Sequence, residues 1–393
     1  MKTMIASIGK IPRSCYVHIP FCSHKCHFCD FAAFAGLEAR EPEYFQVLAR
    51  EISTRLTDFQ RQTAGEIVLE TLFVGGGTPG LSGIEELKLM KSTLEKFCTF
   101  SPDCEISLET TPHAITEEKA ADWLKLGINR LSIGIESFHD SELKAMGRDH
   151  SRLQALKGIE AAARAGHTNI SLDFMYGLPE QTLDSFKETL RQAVNLAEHL
   201  PIQHISAYGL EIAVNAPLLL RYPRDSKAYV DEDGFVAMFE TLVETLEEAG
   251  FKQYEVSNFA RPGYESRHNI TYWENDPYFA FGVGAHRYVN GVRSANSKSF
   301  NVYMRDFDEG STIEAIDQRG EEMETLMLAL RMRRGLDLED FQKRFQKDLL
   351  RLKAKEIAIL KDEGLVQLSD THLQITRKGL TVMNSIIGRL LTG

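Results

Sequence analysis

Between residues 15 and about 210, short runs of β-branched and other apolar residues alternate with longer stretches whose apolar positions recur every three or four residues. The runs at 16–19, 67–74, 105–109, 130–135, 169–175 and 204–210 read as strands, and the stretches at 43–59, 84–97, 116–126, 153–165 and 182–197 read as amphipathic helices. Strand then helix, repeated along the chain, predicts an α/β fold: a parallel sheet with helices outside it. Periodicity alone fits both a flat doubly wound sheet and a curled one. Polar candidate ligands fall at the C-terminal ends of the strands, which favours a partial (β/α)6 barrel.

The pattern changes beyond residue 210. Residues 215–233, rich in Pro, Asp and Arg, read as a long loop before a helix at 234–249, and an aromatic, turn-rich segment follows at 254–301. A second helical region is expected from near Ile313. From Gly335 onward the order is helix, helix, short strand-turn-strand, helix, that of a winged-helix-like module. Three units are therefore expected: a partial barrel at 1–214, its extension at 215–310 and a C-terminal helical, winged-helix-like domain at 311–393.

A chain of 393 residues suits one large domain and a smaller one. Its formal charge of −11 argues against a nucleic-acid footprint spread over the surface. Residues 331–393 carry 13 Lys and Arg against 8 Asp and Glu, and this local +5 is too modest to imply nucleic-acid binding there. Six cysteines, three clustered and three scattered, do not make the even framework of a secreted disulfide scaffold, so a reducing compartment is expected. With no signal-peptide core at 1–10 and no apolar window of ~18 residues, the expected location is cytoplasmic.

The candidate chemistry starts at Cys22, Cys26 and Cys29, which share one loop directly after the first strand. Iron–sulfur cubanes are normally held by four thiolates, so three leave one iron open to another ligand. A structural zinc with three Cys and one His is the alternative, since His18, His24 and His27 are near in sequence. The second strand ends in Gly75-Gly-Gly-Thr-Pro79, where glycines let the backbone approach a ligand, although a tight turn would look the same. Glu109, Glu136 and Asp173 stand at the ends of the next three strands. Each alone reads as a helix cap or a solvated charge; successive strands presenting such groups at one end read as a site.

Tyr16-Val-His-Ile-Pro-Phe-Cys22, the three cysteines, Gly75-Gly-Gly-Thr-Pro79, Ser132-Ile-Gly-Ile-Glu-Ser-Phe138 and Tyr176-Gly-Leu-Pro-Glu-Gln181 resemble the oxygen-independent coproporphyrinogen III oxidase superfamily of radical S-adenosylmethionine (SAM) proteins. The resemblance covers nearly the whole chain. It implies a radical SAM barrel in which Cys22, Cys26 and Cys29 hold a 4Fe-4S cluster and Tyr16 lies against SAM. Gly76, Gly77 and Thr78 would cradle the methionyl part, Glu109 would accept from its ammonium and Arg148 would pair with its carboxylate. Glu136 and Asp173 would bond the ribose hydroxyls, and Ala207 would touch the adenosine through backbone. Where Glu136 stands the family usually has Gln, so the donor of that contact is lost.

Within the superfamily, the dehydrogenases that decarboxylate coproporphyrinogen III show a fourth Cys two residues after the third, where this chain has Phe31, and a longer segment before the first cysteine. Both departures resemble the sister family of HemW-type heme chaperones, as does Arg267-His-Asn-Ile-Thr-Tyr-Trp273, followed by Gly282-Val-Gly-Ala-His286. That resemblance implies heme as a third cofactor, with His268 as a candidate iron ligand beside Tyr272 and Trp273. A histidine next to aromatics is also a common packing residue. The implied partners are heme-accepting respiratory or storage proteins, with peripheral contact to membrane-bound acceptors, no nucleic acid, and a monomer or cluster-dependent dimer. The alternative is an enzyme: the coproporphyrinogen III dehydrogenase itself.

Overall fold

A computed structural model describes residues 9–214 and 216–392. The reading of the first eight residues and of Asn215 lies outside them. Strands β1 (Ser14–Ile19), β2 (Val68–Gly76), β3 (Thr99–Thr110), β4 (Arg130–Glu136), β5 (Ile170–Tyr176) and β6 (Ile202–Gly209) pair in chain order, every neighbour parallel. A doubly wound sheet would reverse its order at a switch point. Winding in one direction, with right-handed crossovers, puts the helices on one face and curls the sheet into a partial barrel.

The helices are α1 (Glu41–Gln62), α2 (Ile84–Leu94), α3 (Glu117–Lys125), α4 (Arg152–Arg164) and α5 (Leu183–Ala197). Local chemistry sets their ends. Ser151 and Thr182 cap α4 and α5 in reciprocal boxes with Gln154 and Ser185. Gly127 and Gly166 follow α3 and α4 at φ +83° and +105°, a backbone that turns each helix back toward the next strand and that glycine adopts without penalty. One continuous core of buried side chains lies between sheet and helices, among them Val17, Leu72, Leu108, Ile133, Leu172 and Ile205 from the six strands.

Residues 254–301, expected only as turn-rich, extend the sheet at both edges. β7 (Asn258–Ala260) pairs antiparallel with β6, and β8 (Phe279–Phe281) pairs parallel with β1. Three-residue strands are too short to show a period, which is why the sequence pattern misses them. The helix expected at 234–249 is α6 (Glu232–Glu248), and between β7 and β8 lies α7 (Arg267–Trp273). Near Ile313 the chain forms a strand, Thr312–Ala315, paired with Val292–Ala295; the helix expected there, α8 (Gln318–Ala329), starts only after its Asp317 cap. A separate core that includes Leu326, Phe341, Leu360, Leu373 and Ile386 organises the C-terminal helices around a three-stranded sheet. No helix among the described residues is long and apolar enough to cross a membrane.

β8 is held against β1 by a buried carboxylate. Glu51 on α1 is fully buried and accepts from the Gly282 backbone N–H (2.9 Å), Asn296 Nδ2 (2.7 Å), the Tyr303 hydroxyl (2.8 Å) and Arg55 Nε (2.9 Å). Removing one member of such a cluster strands the others away from water. Glu51→Leu is expected to lower stability by ~3–5 kcal/mol in chemical denaturation, the range for a broken buried charge pair. A loss within the scatter of surface substitutions would show that solvent already reaches this cluster.

Candidate metal and cofactor site

Two strand ends meet at the cysteine loop. Gly77 N–H donates to the Ile19 carbonyl and Thr78 N–H to the Phe21 carbonyl, each at 2.8 Å. A Cβ at Gly77 would stand 2.6 Å from the Phe21 carbonyl and 2.9 Å from Cys22 Sγ, and one at Gly76 would stand 2.6 Å from the His18 ring. Real Cβ atoms do not approach so closely, so the glycines are required by contact as well as by the positive φ of Gly76 (+124°). Thr78 Oγ1 lies 3.6 Å from Cys22 Sγ as its donor.

A second anchor is a segment more than a hundred residues away. His27 N–H donates to the Met146 carbonyl (3.1 Å), Ser23 Oγ to Asp149 (2.7 Å) and Arg148 Nη1 to Cys26 Sγ (3.2 Å). Each of the three histidines weighed as zinc ligands puts one ring nitrogen against a backbone carbonyl: His18 Nε2 on Ala32 (3.0 Å), His24 Nε2 on Gly147 and His27 Nδ1 on Ala145 (3.4 Å). They stitch the loop in place. Among the described residues no three His, Cys, Asp or Glu side chains are grouped to hold a metal ion.

Burial pushes the Cys22 thiol up to about 11 against the Thr78 hydrogen bond, with Cys29 and Cys26 adding to the rise. Cys26 and Cys29 are raised too, burial leading in both. Three desolvated thiols whose thiolates would repel one another can ionise together only against a cation, which an iron–sulfur core or a zinc ion would supply. Asp149 goes the other way. Burial would raise it, but hydrogen bonds from His113 and Ser23 and the nearby His24 hold it well below the usual carboxylate range.

The polar rim continues around the barrel. Glu109 accepts from the Gly76 N–H at 2.8 Å, and burial lifts its carboxyl to about 7 despite that bond, with Asp173 adding to the rise. Glu136 ends β4 at φ +63°, where pairing with β5 slips by one residue, and its carboxylate lies 3.7 Å from Arg148 Nη2. Burial raises Glu136 against the pull of that guanidinium. Arg148 also donates to the Gly134 carbonyl (2.9 Å), while its Nε is buried with no partner. Asp173 accepts from Ser132 (2.7 Å) and Ser171 (3.0 Å). Tyr16 donates to His18 Nδ1 (2.9 Å), the ring nitrogen left as acceptor once Nε2 serves Ala32. Ala207 faces Phe174 in the register and its N–H already serves the Ser257 carbonyl.

His268 lies apart from this rim. It is 1% exposed, its Nδ1 2.7 Å from the Thr71 hydroxyl and its Nε2 2.8 Å from the Tyr272 hydroxyl, and it stacks on Phe73 at 5.2 Å. With both nitrogens engaged it has no lone pair for an iron in this arrangement; it packs α7 onto β2. Sequence reasoning also missed a buried chain behind Asp173: Ser171 to His204 Nδ1 (2.8 Å) and His204 Nε2 to the Tyr254 hydroxyl (2.8 Å). Its only signal was polar residues at alternate positions of strands otherwise apolar. Beside the rim, a cavity of about 620 Å³ is walled by Tyr16 and His18, residues 30–32 of the loop, and α8.

The Radical SAM superfamily is matched at residues 16–193 and the HemN C-terminal domain at residues 321–382. The chain is 32% identical to the Heme chaperone HemW of Bacillus subtilis, over 96% of this chain and 99% of that one. It is 31% identical to the Heme chaperone HemW of Haemophilus influenzae, over 97% and 98%. A solved structure, the coproporphyrinogen III oxidase HemN of Escherichia coli, superposes with a TM-score of 0.83 over 99% of this chain and 92% of that one, at 22% identity.

Glu109 generates a test on the cofactor-free protein. A carboxyl whose folded pKa is raised from 4.5 to about 7 opposes folding once ionised, so its cost is absent below the ordinary value and grows as pH rises through about 7. Glu109→Gln keeps the acceptor for Gly76. It is expected to raise the melting temperature at pH 8 and leave it unchanged at pH 4; equal effects at both would mean a cation already pairs with the carboxylate.

Proposed function

The chain belongs to the HemW family of radical SAM proteins, and from that membership we propose that it is a heme chaperone, binding heme and passing it to heme-dependent respiratory or storage proteins in the cytoplasm or at the membrane surface. The observation that carries the reading is near full-length similarity to proteins named heme chaperones, 99% of the Bacillus subtilis chain being covered. The likeness to HemN, at 22% identity, is one of fold. At the position of the fourth cysteine of the dehydrogenases, Phe31 presents a ring that is 64% exposed and offers no thiol.

In this reading Cys22, Cys26 and Cys29 would hold a 4Fe-4S cluster, and three thiolates would leave one of its irons open beside the methionyl end of SAM. Glu109 would accept from the SAM amino group and Arg148 would pair with its carboxylate. A buried carboxyl raised to about 7 and a guanidinium nitrogen without a partner both support a zwitterion there. Gly76, Gly77 and Thr78 line the methionyl chain, Glu136 and Asp173 take the ribose hydroxyls, and Tyr16 and Ala207 flank the nucleoside. Bound SAM and cluster supply a one-electron centre or a regulatory and oligomerising element; the residues of the chain orient them and exclude water.

Anaerobic reconstitution should give about four iron and four sulfide per chain, and Cys26→Ala should lose them. The loaded protein should bind heme stably and leave coproporphyrinogen III unchanged even with reductant and SAM. Replacing Glu109 or Arg148 removes a charge-assisted contact and should weaken SAM by roughly ten- to a hundredfold at normal cluster content. Stoichiometric zinc in place of iron, or measurable decarboxylation of coproporphyrinogen III by the wild-type protein, would overturn the reading.

A further inference from the structure

The heme-chaperone reading needs a place for an iron porphyrin, and His268 is sealed from it by Thr71, Tyr272 and Phe73. His286 is the opposite case. It begins the strand His286–Val289, is fixed in register opposite Ala295, and stays exposed. Its ring has no hydrogen-bond partner among the described residues. It lines the cavity of about 620 Å³ beside the cofactor rim, a volume within the range of small-molecule and cofactor sites.

The same cavity gathers what a porphyrin requires. Phe31, exposed and two residues beyond Cys29, shares its wall with Tyr272 and Tyr278, whose rings meet edge-on at 4.6 Å. Flat aromatic faces suit a macrocycle. Lys298 stands beside Gly284, at 3.6 Å from where a Cβ would be, and has no ion pair or hydrogen bond among the described residues. Arg293, the cavity's other cation, is committed to Glu324 at 2.7 Å and to Asn275. Only Lys298 of the two is free to meet a carboxylate.

We propose that this cavity is the heme site, with His286 as an axial ligand of the iron, Phe31, Tyr272 and Tyr278 against the macrocycle and Lys298 toward a propionate. The assignment rests on the heme-chaperone reading and places its cargo. Because the cavity takes Tyr16 and His18 from the cofactor rim and residues 30–32 from the cluster loop, heme and cluster share a wall.

The test titrates the anaerobically reconstituted full-length protein with hemin and, separately, with metal-free protoporphyrin IX. His286→Ala is expected to weaken hemin by roughly tenfold or more and to shift its Soret band, because an axial bond is lost. Protoporphyrin IX affinity and cluster iron should not change, since neither uses that bond. Lys298→Glu should weaken both porphyrins. His268→Ala should keep the wild-type hemin spectrum and melt at lower temperature, two buried hydroxyls having lost their partner. An unchanged hemin spectrum in His286→Ala, or a shifted one in His268→Ala alone, overturns the assignment while the chaperone reading stands. If wild-type protein binds no hemin, the chaperone reading itself has failed.

Discussion

The contact between the three-glycine turn and the end of the first strand is the constraint on which the site depends. Backbone bonds from Gly77 and Thr78 to the Ile19 and Phe21 carbonyls bring the turn onto the cysteine loop, and the missing Cβ atoms make room for the His18 ring and Cys22 Sγ. One packing event thus sets the distance between the thiolates and the rim that would hold a zwitterionic cofactor. The Glu51 cluster supports it from the other side, holding β8 against the outer edge of β1. Neither element could shift without moving the cysteines relative to Glu109.

Electrostatically the site is unfinished without cations. Burial raises the cysteine thiols and the Glu109 and Glu136 carboxyls, with Arg148 the only cation in direct contact with that group among the described residues. Ionising desolvated groups of this kind is costly in the bare fold, which favours a cationic ligand that stabilises their charged forms. The left-handed backbone of Glu136 adds local strain at the same rim, where strain and function commonly coincide. The loop is kept in place meanwhile by hydrogen bonds: three imidazoles on three carbonyls, and Ser23 on an Asp149 carboxylate that stays ionised far into the acid range.

The family relationship and the cavity bear on different questions. Similarity along nearly the whole chain places the protein in the HemW family, whereas likeness to HemN speaks only to architecture, a distinction that matters because one fold hosts unrelated activities. The cavity borders the cysteine loop, residues 30–32 belonging to both, so the proposed cluster and the proposed cargo would share a wall through which to influence each other. Coupling of this kind needs a shared element with two arrangements rather than mere proximity.

The sequence by itself determined the strand-helix alternation, the three-thiolate loop, the glycine turn and the acids at strand ends, because each depends on spacing within one short segment. It also pointed to a C-terminal module of helices, a hairpin and a further helix, to which the fold adds an edge strand, Leu336–Asp337, and extra short helices before and after the hairpin. What only the tertiary structure decided is which partners distant segments supply. β8 joins β1 from more than 250 residues away, Arg148 reaches Cys26 across 122, and Thr71 closes on His268 across 197. His268 and His286 both lie in aromatic surroundings within one segment, and nothing local separates them. An imidazole's role follows from what occupies its two nitrogens, and for His268 one of those partners came from another strand of the barrel.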